Sequence, residues 1–137
     1  MLPLFQFLIG SMRHLAIVDP PYGIKPEEEE LGYYGIFRLS KNGKLKLLDN
    51  SLHRPNGIAF SPDEKLLYVT NSGSNEVYVW DVKDSTIINK RLFANMQPDG
   101  FGDGMKIDIN GRLFIAATKG IWIYESNGTL LESFEVP

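Results

Sequence analysis

Short apolar runs recur along the whole chain, and polar turn residues separate them. The runs are about four to seven residues long, and they are rich in Val, Ile, Tyr, Phe and Trp. Asn-Gly pairs at positions 42–43, 110–111 and 127–128 bound several of the runs. Because helical periodicity is nearly absent and such pairs favour tight hairpin turns, the pattern predicts an all-β fold.

The runs repeat along the sequence. Residues 56–60 (NGIAF) align with residues 103–107 (DGMKI) at an offset of 47 positions. The alignment continues with small gaps, pairing 67–70 with 113–116, 77–80 with 121–124, and 91–93 with 131–134. An earlier unit has its second, third and fourth strands at residues 15–19, 35–39 and 44–48, and its first strand is expected within residues 4–9.

Units of roughly 40 to 50 residues with four strands each are typical of β-propeller blades. We therefore predict one partial β-propeller domain over residues 1–137, with blades at roughly 1–50, 51–97 and 98–137. The first strand of each blade lines the central channel of a propeller. Asn56 and Asp103 begin the first strands of neighbouring blades, so we expect both side chains to point toward the mouth of the channel.

Three motifs stand in order along the chain: residues 19–23 (DPPYG), 54–63 (RPNGIAFSPD) and 102–108 (GDGMKID). Together they resemble motifs of the gluconolactonase and senescence-marker-protein family, and the likeness runs from about Leu15 to Pro137. The resemblance implies a six-bladed propeller of the lactonase type. It also implies one divalent cation at the top of the channel and hydrolysis of sugar-acid lactones or related esters.

The resemblance implies that Asn56 and Asp103 are metal ligands, and that Asp103 is also catalytic, taking a proton from the attacking water. Carboxylate and carboxamide oxygens suit Ca²⁺, Mg²⁺, Mn²⁺ or Zn²⁺, and we expect calcium first. The family also takes a glutamate, and often a further asparagine, from an early blade, but nothing before Leu15 matches either. The alternative is that Asn56 and Asp103 only cap turns before an inner strand.

Three further residues are candidates for contact with the substrate. Asp19 and Tyr22 follow a second strand, and Asn71 ends the equivalent strand of the next unit. A proline-fixed turn explains residues 20–23 equally well. We interpret His53 as a surface-loop residue in preference to a proton shuttle, and residues 27–30 (EEEE) as a solvated loop in preference to a metal site.

Charge and composition exclude several classes of function. The net charge is -3 and the 14 basic residues are scattered, so we expect no nucleic-acid partner. The chain has no cysteine, which excludes disulfides and thiolate metal sites. The apolar segment at residues 2–9 is too short to span a bilayer, so we expect no membrane partner. Localisation stays open.

A half-ring would leave two apolar blade faces uncovered. We therefore expect either a homodimer that completes a propeller or a chain that is a fragment of a longer product. Two alternatives to a lactonase are an inactive truncated fragment and a non-catalytic binding or scaffold propeller. The second is suggested by residues 67–72 (LYVTNS), which resemble the repeats of surface propellers.

Overall fold

The computed structural model describes residues 6–9, 15–18, 33–98 and 100–136. These residues form twelve β-strands and no helix, arranged as three four-stranded sheets. Each sheet is an antiparallel meander in which consecutive strands pair. The prediction of an all-β partial propeller is confirmed, whereas the single-domain extent over residues 1–137 stays a prediction.

The sheets are named blades 1, 2 and 3. Blade 1 contains β1 (Gln6–Ile9), β2 (Leu15–Val18), β3 (Ile36–Leu39) and β4 (Leu45–Asp49). Blade 2 contains β5 (Pro55–Phe60), β6 (Leu66–Asn71), β7 (Glu76–Lys83) and β8 (Thr86–Asn95). Blade 3 contains β9 (Gly102–Ile107), β10 (Leu113–Ala117), β11 (Gly120–Tyr124) and β12 (Leu130–Glu135).

The Asn-Gly pairs form hairpin turns, as their composition predicts. Gly43 and Gly111 both have φ of 81°, a left-handed conformation that glycine adopts without a steric penalty. The amide of Gly43 donates to the carbonyl of Ser40, and that of Gly111 donates to the carbonyl of Asp108. These turns set the register of the strands that they connect.

The hydrophobic core lies between the blades. Alternate residues of β6 point in opposite directions, so Leu67 and Val69 pack toward blade 1 while Tyr68 packs toward blade 3. The cluster between blades 1 and 2 consists of Ile36, Leu52, Ile58, Leu67, Val69 and Trp80. The cluster between blades 2 and 3 includes Ala59, Tyr68, Val77, Val79, Met105, Leu113, Ile115 and Tyr124. This stacking fixes the inner strands of neighbouring blades side by side.

The part of the chain that the structure describes contains no helix long and apolar enough to cross a membrane.

Candidate functional site

Asn56 lies in a β-bulge at the start of the inner strand of blade 2. Pro55 pairs with Asn71 and Ile58 pairs with Val69, so three steps along β5 match two steps along β6. The bulge therefore falls on Asn56 and Gly57. Bulges re-aim side chains at the ends of strands and occur often beside active sites.

Asp103 lies in an equivalent bulge in blade 3. Gly102 pairs with Ala117 and Met105 pairs with Ile115, so the additional residue of β9 falls on Asp103 and Gly104. The two residues singled out from the sequence thus occupy the same irregular position in neighbouring inner strands. The 47-residue repeat extends to this local backbone feature.

The two bulges are in close contact. A Cβ atom placed on Gly57 would lie 2.2 Å from the carbonyl oxygen of Asp103 and 3.1 Å from the Cα of Gly104. Side chains other than hydrogen do not fit at such a distance, so glycine is required for this approach. The structure therefore brings the main chains of residues 57 and 103 together, whereas the convergence of the Asn56 and Asp103 side chains at the channel mouth stays a prediction. Their function as ligands stays a prediction.

Thr70 connects the two bulges through its hydroxyl group. The amide of Gly57 donates to Thr70 Oγ1 over 2.7 Å, and Thr70 Oγ1 donates to the carbonyl of Asp103 over 3.0 Å. The side chain of Thr70 is fully buried. One hydroxyl therefore satisfies a donor in blade 2 and an acceptor in blade 3, and both would otherwise be costly to bury.

Ser72 forms a second connection and orients Asn56. Asn56 Nδ2 donates to Ser72 Oγ over 3.2 Å, and Ser72 Oγ donates to the carbonyl of Gly102 over 2.5 Å. Asn56 and Ser72 are both buried. Because the amide nitrogen of Asn56 is engaged with Ser72, its Oδ1 is the atom of this side chain that could coordinate a cation.

Asp103 differs from Asn56 in its exposure to solvent. Its side chain is exposed at the inner strand, while its carbonyl is held by Thr70. A carboxylate that solvent can reach is able to accept a proton from water or to bind a hydrated cation.

The oxygen donors of Asn56 and Asp103 are chemically suited to a hard divalent cation and would supply part of its coordination shell. Calcium takes six to eight oxygen ligands, of which one carboxylate and one carboxamide supply about two or three. Within the described ranges, no group of three or more His, Cys, Asp and Glu residues is placed to hold a metal ion. The remaining ligands would have to be waters, substrate, or residues beyond these two.

Asn71 lies at the same end of blade 2, where it supports the backbone. The amide of Arg54 donates to Asn71 Oδ1 over 2.8 Å, and Asn71 Nδ2 donates to Ser74 Oγ over 3.0 Å. Both polar atoms of its amide thus fix turns next to Asn56. A contact between Asn71 and substrate stays a prediction.

A carboxylate beyond these turns is part of the same hydrogen-bond network. Glu76 accepts hydrogen bonds from Ser74 Oγ at 2.6 Å and from the Tyr78 hydroxyl at 2.7 Å. These two bonds, that from Ser74 first, lower the pKa of Glu76, and the bond to Glu76 raises the pKa of Tyr78. The turn between β6 and β7 is therefore held by an ionised glutamate.

For the remaining candidates from the sequence, the structure describes no hydrogen bond to the two bulges. Asp19, Tyr22 and residues 27–30 lie outside the described residues. His53 is exposed and lies beside the β6–β7 turn, where its Cδ2 would be 3.0 Å from a Cβ on Gly73. This position agrees with the surface-loop interpretation of His53.

Thr70 and Ser72 are the functional candidates that sequence reasoning missed. They belong to a polar run at the end of an apolar strand, and all residues of this run at positions 70–72 are buried. The repeat offers a further signal, because the position equivalent to Thr70 in blade 3 is Ala116, which has no hydroxyl. A polar residue where a repeat partner is apolar marks a contact specific to one pair of blades.

Comparison with known proteins shows similar sequences and a similar fold. A family model described as the SMP-30/gluconolactonase/LRE-like region matches residues 10–137. The gluconolactonase of Zymomonas mobilis is 40% identical over 127 residues, which cover 82% of this chain and 36% of that protein. The resemblance inferred from the three motifs is therefore confirmed.

Solved structures show the same fold. A gluconolactonase of Xanthomonas campestris superposes with a TM-score of 0.86 at 33% identity, covering 96% of this chain and 46% of that one. Regucalcin of Agrobacterium tumefaciens, described as a calcium-binding protein, superposes with a TM-score of 0.76. It is 23% identical, and the superposition covers 91% of this chain and 42% of that one. At this identity the similarity shows only a shared fold. The chain spans less than half the length of each of these three relatives.

Proposed function

The chain belongs to the SMP-30/gluconolactonase/LRE-like family, and on that premise we propose that its inner-strand site serves a metal-dependent hydrolase that opens sugar-acid lactones or related esters. The observation that supports the proposal is the pair of equivalent bulges at Asn56–Gly57 and Asp103–Gly104 on neighbouring inner strands, where the backbone of Gly57 contacts the carbonyl of Asp103. The gluconolactonase relatives support the class of substrate.

In this proposal Asn56 Oδ1 and the Asp103 carboxylate hold one divalent cation. When bound, the cation supplies a Lewis acid that polarises the lactone carbonyl and stabilises the oxyanion. Asp103 accepts a proton from the water that attacks the carbonyl carbon. The ring C–O bond then breaks, Asp103 returns the proton to the leaving alkoxide oxygen, and the product is an open-chain hydroxy acid. Ser72 and Thr70 act as positioning residues, because they hold Asn56 and the Asp103 backbone in place.

Calcium is the proposed cation, with Zn²⁺, Mg²⁺ and Mn²⁺ as the other candidates. Oxygen ligands favour Ca²⁺, Mg²⁺ and Mn²⁺ in proteins. We place calcium first because it takes a shell of six to eight oxygen ligands, which can include carboxylate and carboxamide oxygens. Asp19 and Tyr22 remain proposed substrate contacts together with Asn71.

The far face of blade 3 supports a proposal about assembly. Phe114, Ile121 and Ile123 lie on one face of this blade, because β10 and β11 pair Phe114 with Ile123. They are the repeat equivalents of Tyr68, Val77 and Val79, which are buried between blades 2 and 3. The face of blade 3 is thus built like one that another blade covers.

We propose a second copy of this chain as the partner that covers this face. The superposition covers 46% of the Xanthomonas relative, so two copies of this chain together would approach one complete relative in size. Multi-angle light scattering of the purified protein tests this proposal. A dimer is the expected result, and a strict monomer at high concentration would contradict it.

The catalytic proposal is tested by adding cations to the metal-free protein. We expect Ca²⁺ to raise the melting temperature of the wild type and to restore hydrolysis of glucono-δ-lactone, followed by pH-stat. Stabilisation of about 2.7 kcal/mol is expected at a concentration 100 times the dissociation constant. Mg²⁺, Mn²⁺ and Zn²⁺ are compared in parallel.

Asp103→Asn provides the decisive variant, and Glu132→Gln is its control because Glu132 is an exposed carboxylate on the outer strand β12. We expect Asp103→Asn to lose both the calcium-dependent stabilisation and the hydrolysis, while Glu132→Gln keeps both. If Asp103→Asn retained cation binding and lactone hydrolysis, the proposal would fail, and a non-catalytic propeller would be the better interpretation.

A further inference from the structure

The row of three blades ends on each side in an apolar sheet face. On blade 3 this face includes Ile121 and Phe134, which pair across β11 and β12 and are both exposed. On blade 1 the face includes Leu45 and Leu47 of β4, which are exposed, together with Phe37, which pairs with Leu47. Exposed apolar surface of this kind marks sites of interaction. We call these two surfaces the open faces of blade 3 and blade 1.

The two open faces are of opposite type. In blade 2, Val77 packs toward blade 3, whereas Tyr78 packs toward blade 1. Ile121 is the repeat equivalent of Val77, so the open face of blade 3 is of the kind that packs on a following blade. Blade 2 has a register shift between Val77 and Tyr78. Blade 1 has the same shift between Ile36 and Phe37, so Phe37 corresponds to Tyr78 and its face is of the kind that packs on a preceding blade.

Faces of opposite type match each other head to tail. Blade 3 of one copy can pack on blade 1 of a second copy, and the same contact can form between the other two ends. The three blades superpose on 46% of the Xanthomonas gluconolactonase with a TM-score of 0.86, so their curvature is that of about half a propeller. Two head-to-tail contacts would therefore close a symmetric dimer in which the inner strands of both copies line one channel.

A single copy supplies too few ligands for the proposed cation. Asn56 and Asp103 provide about two or three of the roughly six to eight oxygen atoms that calcium takes. Among the residues that the structure describes, His, Cys, Asp and Glu form no group of three or more that could add to them. In the closed dimer the same two residues of the second copy also line the channel, and the two copies together provide about four to six oxygens. Two carboxylates also balance the double charge of the cation, whereas one does not.

We propose that one divalent cation is shared by two copies of this chain, each of which contributes Asn56 and Asp103. The inference rests on the proposed function, since it concerns the cation of that site. The side chain of Asp103 is exposed in a single copy, so its carboxylate is accessible to a cation that a second copy also holds. Without the cation the two carboxylates repel each other, so the cation should favour the dimer.

Calcium titration of the metal-free protein tests the stoichiometry, with calorimetry for binding and light scattering for mass. We expect one Ca²⁺ per two chains, and a dimer dissociation constant at least about tenfold lower with calcium than without it. One Ca²⁺ per chain would overturn the shared site and leave the lactonase proposal standing. The absence of binding by Ca²⁺, Mg²⁺, Mn²⁺ and Zn²⁺ alike would overturn both.

Variants of the open face of blade 3 test whether binding needs the second copy. Ile121→Glu places a charge on this face, and we expect it to prevent the dimer and to weaken calcium binding at least about tenfold. Leu92→Glu is the matched control, because Leu92 is also an exposed apolar residue but lies on the outer strand of blade 2, which has a blade on each side. It should keep both properties.

A folded, monomeric Ile121→Glu that binds calcium as tightly as the wild type would refute the shared site. Phe134→Glu provides the same test at a more exposed position of the face, should Ile121→Glu fail to fold.

Mixed dimers test the contribution of each copy directly. Wild-type chains are combined with tagged Asp103→Asn chains in the metal-free state, and the mixed dimers are isolated through the tag. A shared site has lost one of its two carboxylates in such a dimer, so calcium should bind at least about tenfold more weakly than to the wild type. A site within each copy would instead give one Ca²⁺ per mixed dimer at wild-type affinity, and that result would overturn the proposal.

Discussion

The backbone of Gly57 in blade 2 lies so close to the carbonyl of Asp103 in blade 3 that a Cβ on Gly57 would stand 2.2 Å from that oxygen. Gly104, the repeat equivalent of Gly57, has open space where its own Cβ would be. The two glycines therefore have different functions despite the repeat. Gly57 permits the contact between blades, whereas a Cβ on Gly104 would meet no atom of the described residues within 4 Å.

Gly57→Ala should consequently destabilise the protein. The added methyl would force β5 and β9 apart, at a cost of about 1–3 kcal/mol in the free energy of unfolding. Because the same movement separates Asn56 from Asp103, calcium-dependent stabilisation should fall as well. Urea unfolding with and without Ca²⁺ measures both effects.

Gly104→Ala is the matched control for this substitution and should change the free energy of unfolding by less than about 0.5 kcal/mol. Equal effects of the two substitutions would show that the short Gly57–Asp103 approach does not determine how the blades pack.

Thr70→Val should show how much the shared hydroxyl contributes. Valine keeps the shape of threonine but leaves the amide of Gly57 and the carbonyl of Asp103 without this partner. Since both groups are buried or partly buried, a loss of about 1–3 kcal/mol in the free energy of unfolding is expected. Hydrolysis should fall with it, because the Asp103 backbone loses its anchor.

Thr129→Val provides the comparison, because Thr129 is exposed at the end of a turn. It should leave stability and activity unchanged. A folded Thr70→Val with wild-type stability and activity would argue against a positioning function for Thr70.

The repeat made the architecture predictable from sequence, because residues 56–60 and 103–107 share a pattern that only equivalent strands explain. The bulges could not be predicted from the repeat. A bulge is a property of the register between two strands, and the adjacent glycines only permitted it. Thr70 was missed for a related reason: its acceptor, Asp103, lies 33 positions away in another blade. Contacts specific to one pair of blades leave no periodic signal.

Arg38 shows a further limit of pattern reading. It stands within a strand whose neighbours are apolar, so the sequence indicates only a strand of the first blade. Whether a charged residue at such a position finds a partner depends on the residues that neighbouring strands and turns bring to it. No spacing within blade 1 could predict that its Nε lacks one.

Acid should weaken the turn next to Asn56 through Glu76. Hydrogen bonds from Ser74 and Tyr78 lower the pKa of Glu76 below its ordinary value of 4.5. The stabilisation is therefore fully present above pH 4.5 and is lost as the pH falls through the lower pKa of the folded state. Because Glu76 is partly exposed to solvent, the contribution should stay below about 1 kcal/mol.

Glu76→Gln should flatten this part of the pH dependence, measured as the free energy of unfolding between roughly pH 6 and pH 3. Tyr78→Phe removes the hydrogen bond that lowers the pKa of Glu76 less than the bond from Ser74 does. It should therefore flatten the pH dependence only in part. If Glu76→Gln and wild type followed parallel curves over this range, the hydrogen bonds to Glu76 would not contribute to stability.

Alkali should weaken the core between blades 2 and 3 through Tyr124. Burial raises the pKa of Tyr124 from 10.0 to about 12, and its ring packs against Phe93 with centroids 6.2 Å apart. Above pH 10 the unfolded state ionises first, so the free energy of unfolding should fall as the pH rises toward 12. Tyr124→Phe removes the ionisable hydroxyl and keeps the ring, and it should therefore lose stability less steeply over this range.

Lysine side chains in general ionise over the same pH range, so the quantity measured is the difference in the free energy of unfolding between variant and wild type. Tyr33→Phe is the exposed control. Identical slopes for Tyr124→Phe and Tyr33→Phe would mean that the Tyr124 hydroxyl is accessible enough to ionise without opening the blade interface.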